Sequence, residues 1–142
     1  MAAIPATVQL EVATPNGMAL SIQTDSVQLP SQVGELGVLG GHVPLLAALK
    51  PGILTYKQDG QTMRAAVGGG FAEVLADRVR VITEFYVTRE QVDVGAAQRD
   101  LEAADAKMKA LKVTTEDVEF QEVERDLQWA QARLLLAGSA SN

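Results

Sequence analysis

The chain has 142 residues, with 18 acidic side chains against 12 basic, a net charge of −6, no cysteine, one histidine and one tryptophan. That length suits one domain, or one domain with an appendage, and allows a sizeable core without metal or disulfide staples. The acidic balance argues against nucleic acid as a partner, and the lack of thiols excludes a disulfide framework, a thiolate metal site and a cysteine nucleophile.

The composition is split along the chain. Residues 1–88 hold all 5 prolines and 10 of the 12 glycines, whereas residues 89–142 hold no proline and 18 of the 30 charges. No Lys or Arg precedes Lys50, so a secretory or transit leader is not expected. The longest apolar run, Val43 to Leu49, is far short of the roughly 20 residues a spanning helix needs. The expectation is a cytosolic chain without direct membrane insertion, which leaves attachment through another protein open.

From the N-terminus, apolar and polar residues alternate in short bursts. Val8, Leu10 and Val12 come first, followed by Leu20 and Ile22, then Val27 and Leu29. Met63, Ala65 and Val67 follow, then Phe71 with Val74, then Val79 and Val81. Bursts of four to seven residues predict half-buried strands. Asn16-Gly17 and Asp59-Gly60 suit tight hairpins, and Ala76-Asp77 reads as a two-residue turn. Many short strands at this spacing favour a β-sandwich or flattened barrel over residues 1–88.

Residues 34–52 interrupt that rhythm with four glycines in eight residues, at Gly34, Gly37, Gly40 and Gly41. No Lys-Ser/Thr pair completes a phosphate loop and no GxGxxG opens a helix, so a turn-rich excursion is expected. Its glycines suit close approach of backbone to backbone. His42 reads as a loop or interface histidine bonded to backbone, because one imidazole without thiols makes a poor metal site. Gly68-Gly69-Gly70 reads as a bulge or corner. No constellation of catalytic groups appears, and no metal site is expected.

From Asp93 the period changes to 3.6. Ala97, Leu101, Ala104, Met108 and Leu111 form one seam, and Phe120, Val123, Leu127, Ala130, Leu134 and Ala137 form another. Two helices, about 93–111 and 116–137, are expected to fold back as an antiparallel hairpin within residues 89–142. Asp93 or Thr88 would cap the first helix, and Thr114 with Asp117 would start the second after a linker of about 112–116. One seam between two helices is a thin core, so the hairpin needs a docking surface. The sandwich offers one and another protein could offer a second, while a fixed appendage on the sandwich remains the plainer alternative.

Gly34-Glu35-Leu36-Gly37-Val38-Leu39, Gly41-His42-Val43-Pro44-Leu45-Leu46 and Leu49-Lys50-Pro51-Gly52 closely resemble the epsilon subunits of F-type ATP synthases, the counterparts of the mitochondrial delta chain. The resemblance extends through Gly69-Gly70-Phe71-Ala72-Glu73-Val74 and residues 79–83 to Val92-Asp93, and so spans nearly the whole chain in order. It implies an N-terminal β-sandwich and a C-terminal helical hairpin. It also implies a non-catalytic rotor subunit of the central stalk, which couples proton translocation to ATP synthesis. The implied partners are the gamma subunit, the c-subunit ring and, through the hairpin, the alpha/beta catalytic head. The subunit would sit peripherally on the cytoplasmic face of a bacterial plasma membrane and is not expected to be an obligate homo-oligomer. By the resemblance, the segment with Glu35 lies near the c-ring and that with His42 faces gamma, which makes Glu35, His42, Val43, Pro44 and Leu45 interface candidates. About half of Leu36, Val38, Leu45 and Leu46 are expected to be core residues instead.

Two features of the family transfer poorly. Some bacterial members bind ATP through an Ile/Leu-Asp-x-x-Arg-Ala motif and arginines on the second helix. Here Asp93 is kept, Ala96 stands where the Arg belongs, and on the second helix Arg133 matches while Trp129 replaces the earlier Arg. Loss of those cations removes the strongest bonds to a triphosphate, so no cofactor is expected, and a nucleotide-sensing regulatory module is the alternative reading. Many members also extend the hairpin into the catalytic head to inhibit hydrolysis, using basic residues against an acidic segment there. Residues 116–137 carry six acids and two bases, a net of −4, so only weak inhibition is expected.

Overall fold

The computed structural model describes residues 4–111 and 118–139, and alternation along the first 88 residues does become strand. The strands are β1 Val8–Thr14, β2 Gly17–Thr24, β3 Ser26–Ser31, β4 Gly34–Val38, β5 Leu45–Gln58, β6 Gln61–Val74, β7 Arg78–Ile82 and β8 Tyr86–Thr88. They lie in the order β2-β1-β7-β6-β5-β3-β4, and β8 pairs with β6. All pairs are antiparallel except β1 with β7.

The inward residues form one core. Val8, Leu10 and Val12 of β1, Val27 and Leu29 of β3, Leu54 of β5, and Val79 and Val81 of β7 are all fully buried in it. Two strands are much longer than the four to seven residues expected, because β5 and β6 each run 14 residues. The proline and glycines that punctuate their sequence turn a corner without ending the strand. Near Gly68–Gly70, β6 exchanges one partner for another: Ala65–Val67 pair with β8 and Phe71–Val74 with β7. Gly69 and Gly70 have φ of 95° and 118°, and a Cβ on Gly70 would lie 2.0 Å from the Ile82 carbonyl oxygen. Long strands that switch partners at such corners are how a β-sandwich joins its two layers.

The excursion over 34–52 is also more regular than its composition suggested. Gly34–Val38 is a strand and β5 begins at Leu45, which leaves only 39–44 as loop. The turns differ in detail. Thr14 faces Gly17, so Pro15 and Asn16 are the turn residues of the first hairpin. Asp59 and Gly60, at φ 52° and 80°, make the two-residue turn between β5 and β6. Residues 75–77 join β6 to β7, closed by the Leu75 amide donating to the Arg78 carbonyl at 2.8 Å.

A 3₁₀ turn, Arg89–Gln91, leads into helices α1, Val94–Ala110, and α2, Val118–Ala137. Asp93 caps α1, its Oδ1 accepting from the Ala96 amide at 3.0 Å, while the Thr88 amide donates to Gln91 Oε1 at 2.9 Å one turn earlier. The helices run antiparallel, with Asp100 near the start of α1 meeting Arg133 near the end of α2. The Thr114–Asp117 start signal and the 112–116 linker lie outside the described residues. The hairpin stands on the sandwich through α2, where Ala132 and Leu136 bury themselves with Ala66 among Ile53, Val92 and Trp129.

Candidate functional site

In a sheet with one face on a core, large apolar side chains on the opposite face must be covered by something else or remain wet. Four register pairs align such residues here. Met18 lies opposite Ala13, Ala13 opposite Ile82, Ile82 opposite Phe71, and Phe71 opposite Ala48. They form a single row across β2, β1, β7, β6 and β5, on the face turned away from the core. Phe71 and Ile82 are each 56% exposed, and Met18 is exposed as well. The sequence groups Phe71 with Val74 in one burst, but residues three apart in a strand point to opposite faces, and Ala72 takes the inward place. A shallow depression of about 430 Å³ opens beside the row, between Ala13, Pro15, Phe71 and Ile82.

Beside this row lies a charged one. Arg80 Nε is 3.3 Å from Glu11 Oε1, and Glu73 is its cross-strand neighbour on β6. Next in that row is Leu46, 71% exposed and opposite Glu73. The apolar surface therefore continues along β5 to its first residue, Leu45, and into the loop that precedes it, where Leu39, Val43 and Pro44 are exposed. Of the four residues divided between core and surface, Val38 is buried, Leu36 packs at the core edge, and Leu45 and Leu46 are exposed.

His42 belongs to this loop, half-buried, its Nδ1–H donating to the Val43 carbonyl at 2.6 Å. The loop is pinned by the Gly41 amide donating to the Ala76 carbonyl at 2.7 Å. The N-terminal segment crosses over it so closely that a Cβ on Gly40 would lie 1.9 Å from the Pro5 oxygen. Glu35 stands apart, exposed on β4 beside a groove of about 430 Å³ that Pro30, Pro51, Ile53 and Leu135 of α2 also line. Glu35 and the His42–Leu45 group thus serve two different surfaces.

Within the hairpin, Ala97, Ala104, Val123 and Ala130 are buried, and Leu101, Met108, Leu111, Phe120, Leu127, Leu134 and Ala137 are half-buried. A second stripe on α2, Trp129, Ala132 and Leu136, faces the sandwich and stands outside the expected seam. Its 3-4 spacing was legible, but the longer seam beside it took the apolar residues first. Asp93 and Arg133 do not come together as a ligand pocket. The Asp93 carboxylate caps α1, while Arg133 Nη2 is 2.9 Å from Asp100 and its guanidinium lies 5.2 Å from the centre of the Trp129 ring. Among the described residues no group of His, Asp and Glu is arranged to hold a metal, and no helix is long and apolar enough to cross a membrane.

Comparison with known proteins agrees with this geometry. Residues 7–89 match a family model described as the beta-sandwich domain of the ATP synthase delta/epsilon chain. The chain is 38% identical over 131 residues to an ATP synthase epsilon chain of Nitratidesulfovibrio vulgaris, covering 92% of this chain and 96% of that one. It is 36% identical over 133 residues to the one from Bacillus velezensis, covering 94% and 98%. Among solved structures, a chain of the Euglena gracilis mitochondrial ATP synthase OSCP/F1/c-ring assembly superposes with a TM-score of 0.76 at 27% identity, covering 92% of this chain and 81% of that one.

Proposed function

The chain belongs to the ATP synthase delta/epsilon family, and from that premise we propose that it is a non-catalytic subunit of the rotating central stalk. In this reading it joins the gamma subunit to the c-ring, so that proton flow and ATP synthesis stay coupled. It works peripherally, on the cytoplasmic face of a bacterial membrane. The observation that carries the reading is the uncovered apolar row Met18–Ala13–Ile82–Phe71–Ala48, continued by Leu46 and Val43. A row of this kind is costly to expose on a free protein and suits a permanent partner such as gamma. Glu35, on a separate surface, is then free to meet the c-ring while gamma occupies the row.

Phe71→Asp tests this. An exposed side chain contributes little to the fold, so thermal stability should change by less than about 0.5 kcal/mol. At the centre of a buried interface the same change should weaken co-purification with gamma by at least about thirtyfold. Unchanged recovery with gamma would remove the basis for the reading.

No specific ATP site is part of the proposal. Arg133 already serves Asp100 and Trp129, and the cations that would complete a triphosphate cradle are missing. Trp129 adjoins Arg133, so its fluorescence would report nucleotide bound there. ATP added to the isolated chain should leave that emission unchanged, and a saturable shift would instead favour the nucleotide-sensing alternative.

A further inference from the structure

The hold between hairpin and sandwich is concentrated at one end of α2. Ala132 and Leu136 sit on Ala66, and below them Arg89 Nη2 donates to Ser139 Oγ at 2.7 Å, while that hydroxyl donates to the Leu136 carbonyl at 2.8 Å. Toward the start of α2 the contact opens into a polar cleft of about 610 Å³, lined by Gln32, Glu84, Gln121, Glu124, Arg125 and Gln128. α1 contributes no residue to the apolar cluster at the junction.

Trp129 stands where the dry contact meets the cleft. Its ring stacks on Phe85, with centroids 5.4 Å apart and planes 16° from parallel. Phe85, from the segment between β7 and β8, lies flat against β6 because residue 68 is glycine, where a Cβ would be 2.7 Å from the Phe85 ring. Trp129 also receives the Arg133 guanidinium, 5.2 Å from the ring centroid. Arg133 Nη2 then reaches Asp100 of α1 at 2.9 Å, and its Nε donates to the Trp129 carbonyl at 3.3 Å. One line of contacts thus runs from β6 through Phe85, Trp129 and Arg133 to α1.

We propose that Trp129 is the positioning residue of a side-chain clasp that holds the hairpin on the sandwich, with Phe85 fixing α2 and Arg133 passing the hold to Asp100 on α1. The physical ground is the small size of what remains without it. The rest of the apolar junction on α2 is one alanine and one leucine, Ala132 and Leu136, against a stack and a cation–π contact that both require this indole. Loss of the clasp frees the cleft end of α2, and with it α1, while the sandwich keeps its own core. The clasp is a matter of contacts within the chain and does not depend on the partner reading above, so either can fail alone.

Trp129 is the only tryptophan, so the full-length chain carries its own reporter. Two variants test the clasp by hydrogen exchange. Trp129→Leu keeps apolar bulk but loses the stack and the cation–π contact. It should speed exchange across α2 and α1 about tenfold or more, with β1–β7 as protected as in the parent. Asp100→Asn weakens only the last link, by removing its negative charge, and should speed exchange in α1 a few-fold while Trp129 emission and acrylamide quenching stay at parent values. Helix exchange unchanged in Trp129→Leu would overturn the proposal, as would strands losing protection together with the helices. A shift of Trp129 emission in Asp100→Asn, or an α1 that does not respond, would also overturn it.

Discussion

The sandwich and the hairpin bury very different side chains. The sandwich core is made of leucines and valines, with Leu10, Leu29, Leu54 and eight valines from Val8 to Val81 essentially inaccessible to water. In the helices, only Val123 and Leu136 are both buried and larger than alanine. A buried valine or leucine contributes about 1.5–3 kcal/mol, whereas an alanine methyl contributes under about 1 kcal/mol. Alanine allows two helices to approach closely but supplies little drive to keep them together. The sandwich can therefore stand on its own core, while the hairpin depends on the surface that receives it.

The largest test of that contrast is a pair of truncations. Leu54→Ala should destabilise the sandwich by about 2–5 kcal/mol in urea unfolding. Leu136→Ala should leave the sandwich midpoint almost unchanged and instead raise hydrogen exchange in α2. Equal losses in the sandwich midpoint would mean that the two regions unfold as one, and the contrast would fail.

A smaller effect is expected from removing the hairpin altogether. A chain ended after Thr88 keeps every strand. Because residues 116–137 carry a net of −4, contact with an acidic segment of a catalytic head is disfavoured, and ATP hydrolysis by the assembled complex should change by less than about twofold. A several-fold rise on truncation would show that the hairpin inhibits strongly despite its charge.

The smallest effect is confined to alkaline pH and to the sandwich. Burial pushes the Tyr86 hydroxyl up to about 12, with Tyr56 nearby adding to the rise, and burial raises Tyr56 as well. The folded chain then keeps protons that the unfolded chain releases. This contribution is whole below pH 10 and is lost as pH climbs from about 10 to about 12. The sandwich melting temperature should fall through that window, and Tyr86→Phe should flatten the fall. A slope unchanged by that substitution would place the alkaline sensitivity elsewhere.

What the sequence made legible follows the same division. Period-2 alternation identified the inward residues of β1, β3 and β7, because each of those strands has one face on the core. Period 3.6 picked out residues that are buried or half-buried along both helices. The outward row at Met18, Ile82 and Phe71 was hidden, since its members meet only once strands distant in sequence lie side by side, and no window along the chain contains them. The docking stripe of α2 was hidden for another reason. Trp129, Ala132 and Leu136 fit helical spacing, but a helix with two apolar faces blurs the contrast on which the pattern depends. The interface candidates came from family resemblance, and the structure adds that Glu35 and His42 belong to separate surfaces.

The parallel pairing of β1 with β7 also governs how the protein can be made. Arg80 and Glu11, joined across these strands, are 69 residues apart in sequence. On a ribosome the first strand emerges long before its neighbour exists, so the nascent chain must wait with one edge of β1 unpaired until β7 is clear. The helices, emerging after the strands and closing over short sequence distances, then meet a finished surface. The order of synthesis thus matches the order of dependence: the part that needs a platform is made after the platform is complete.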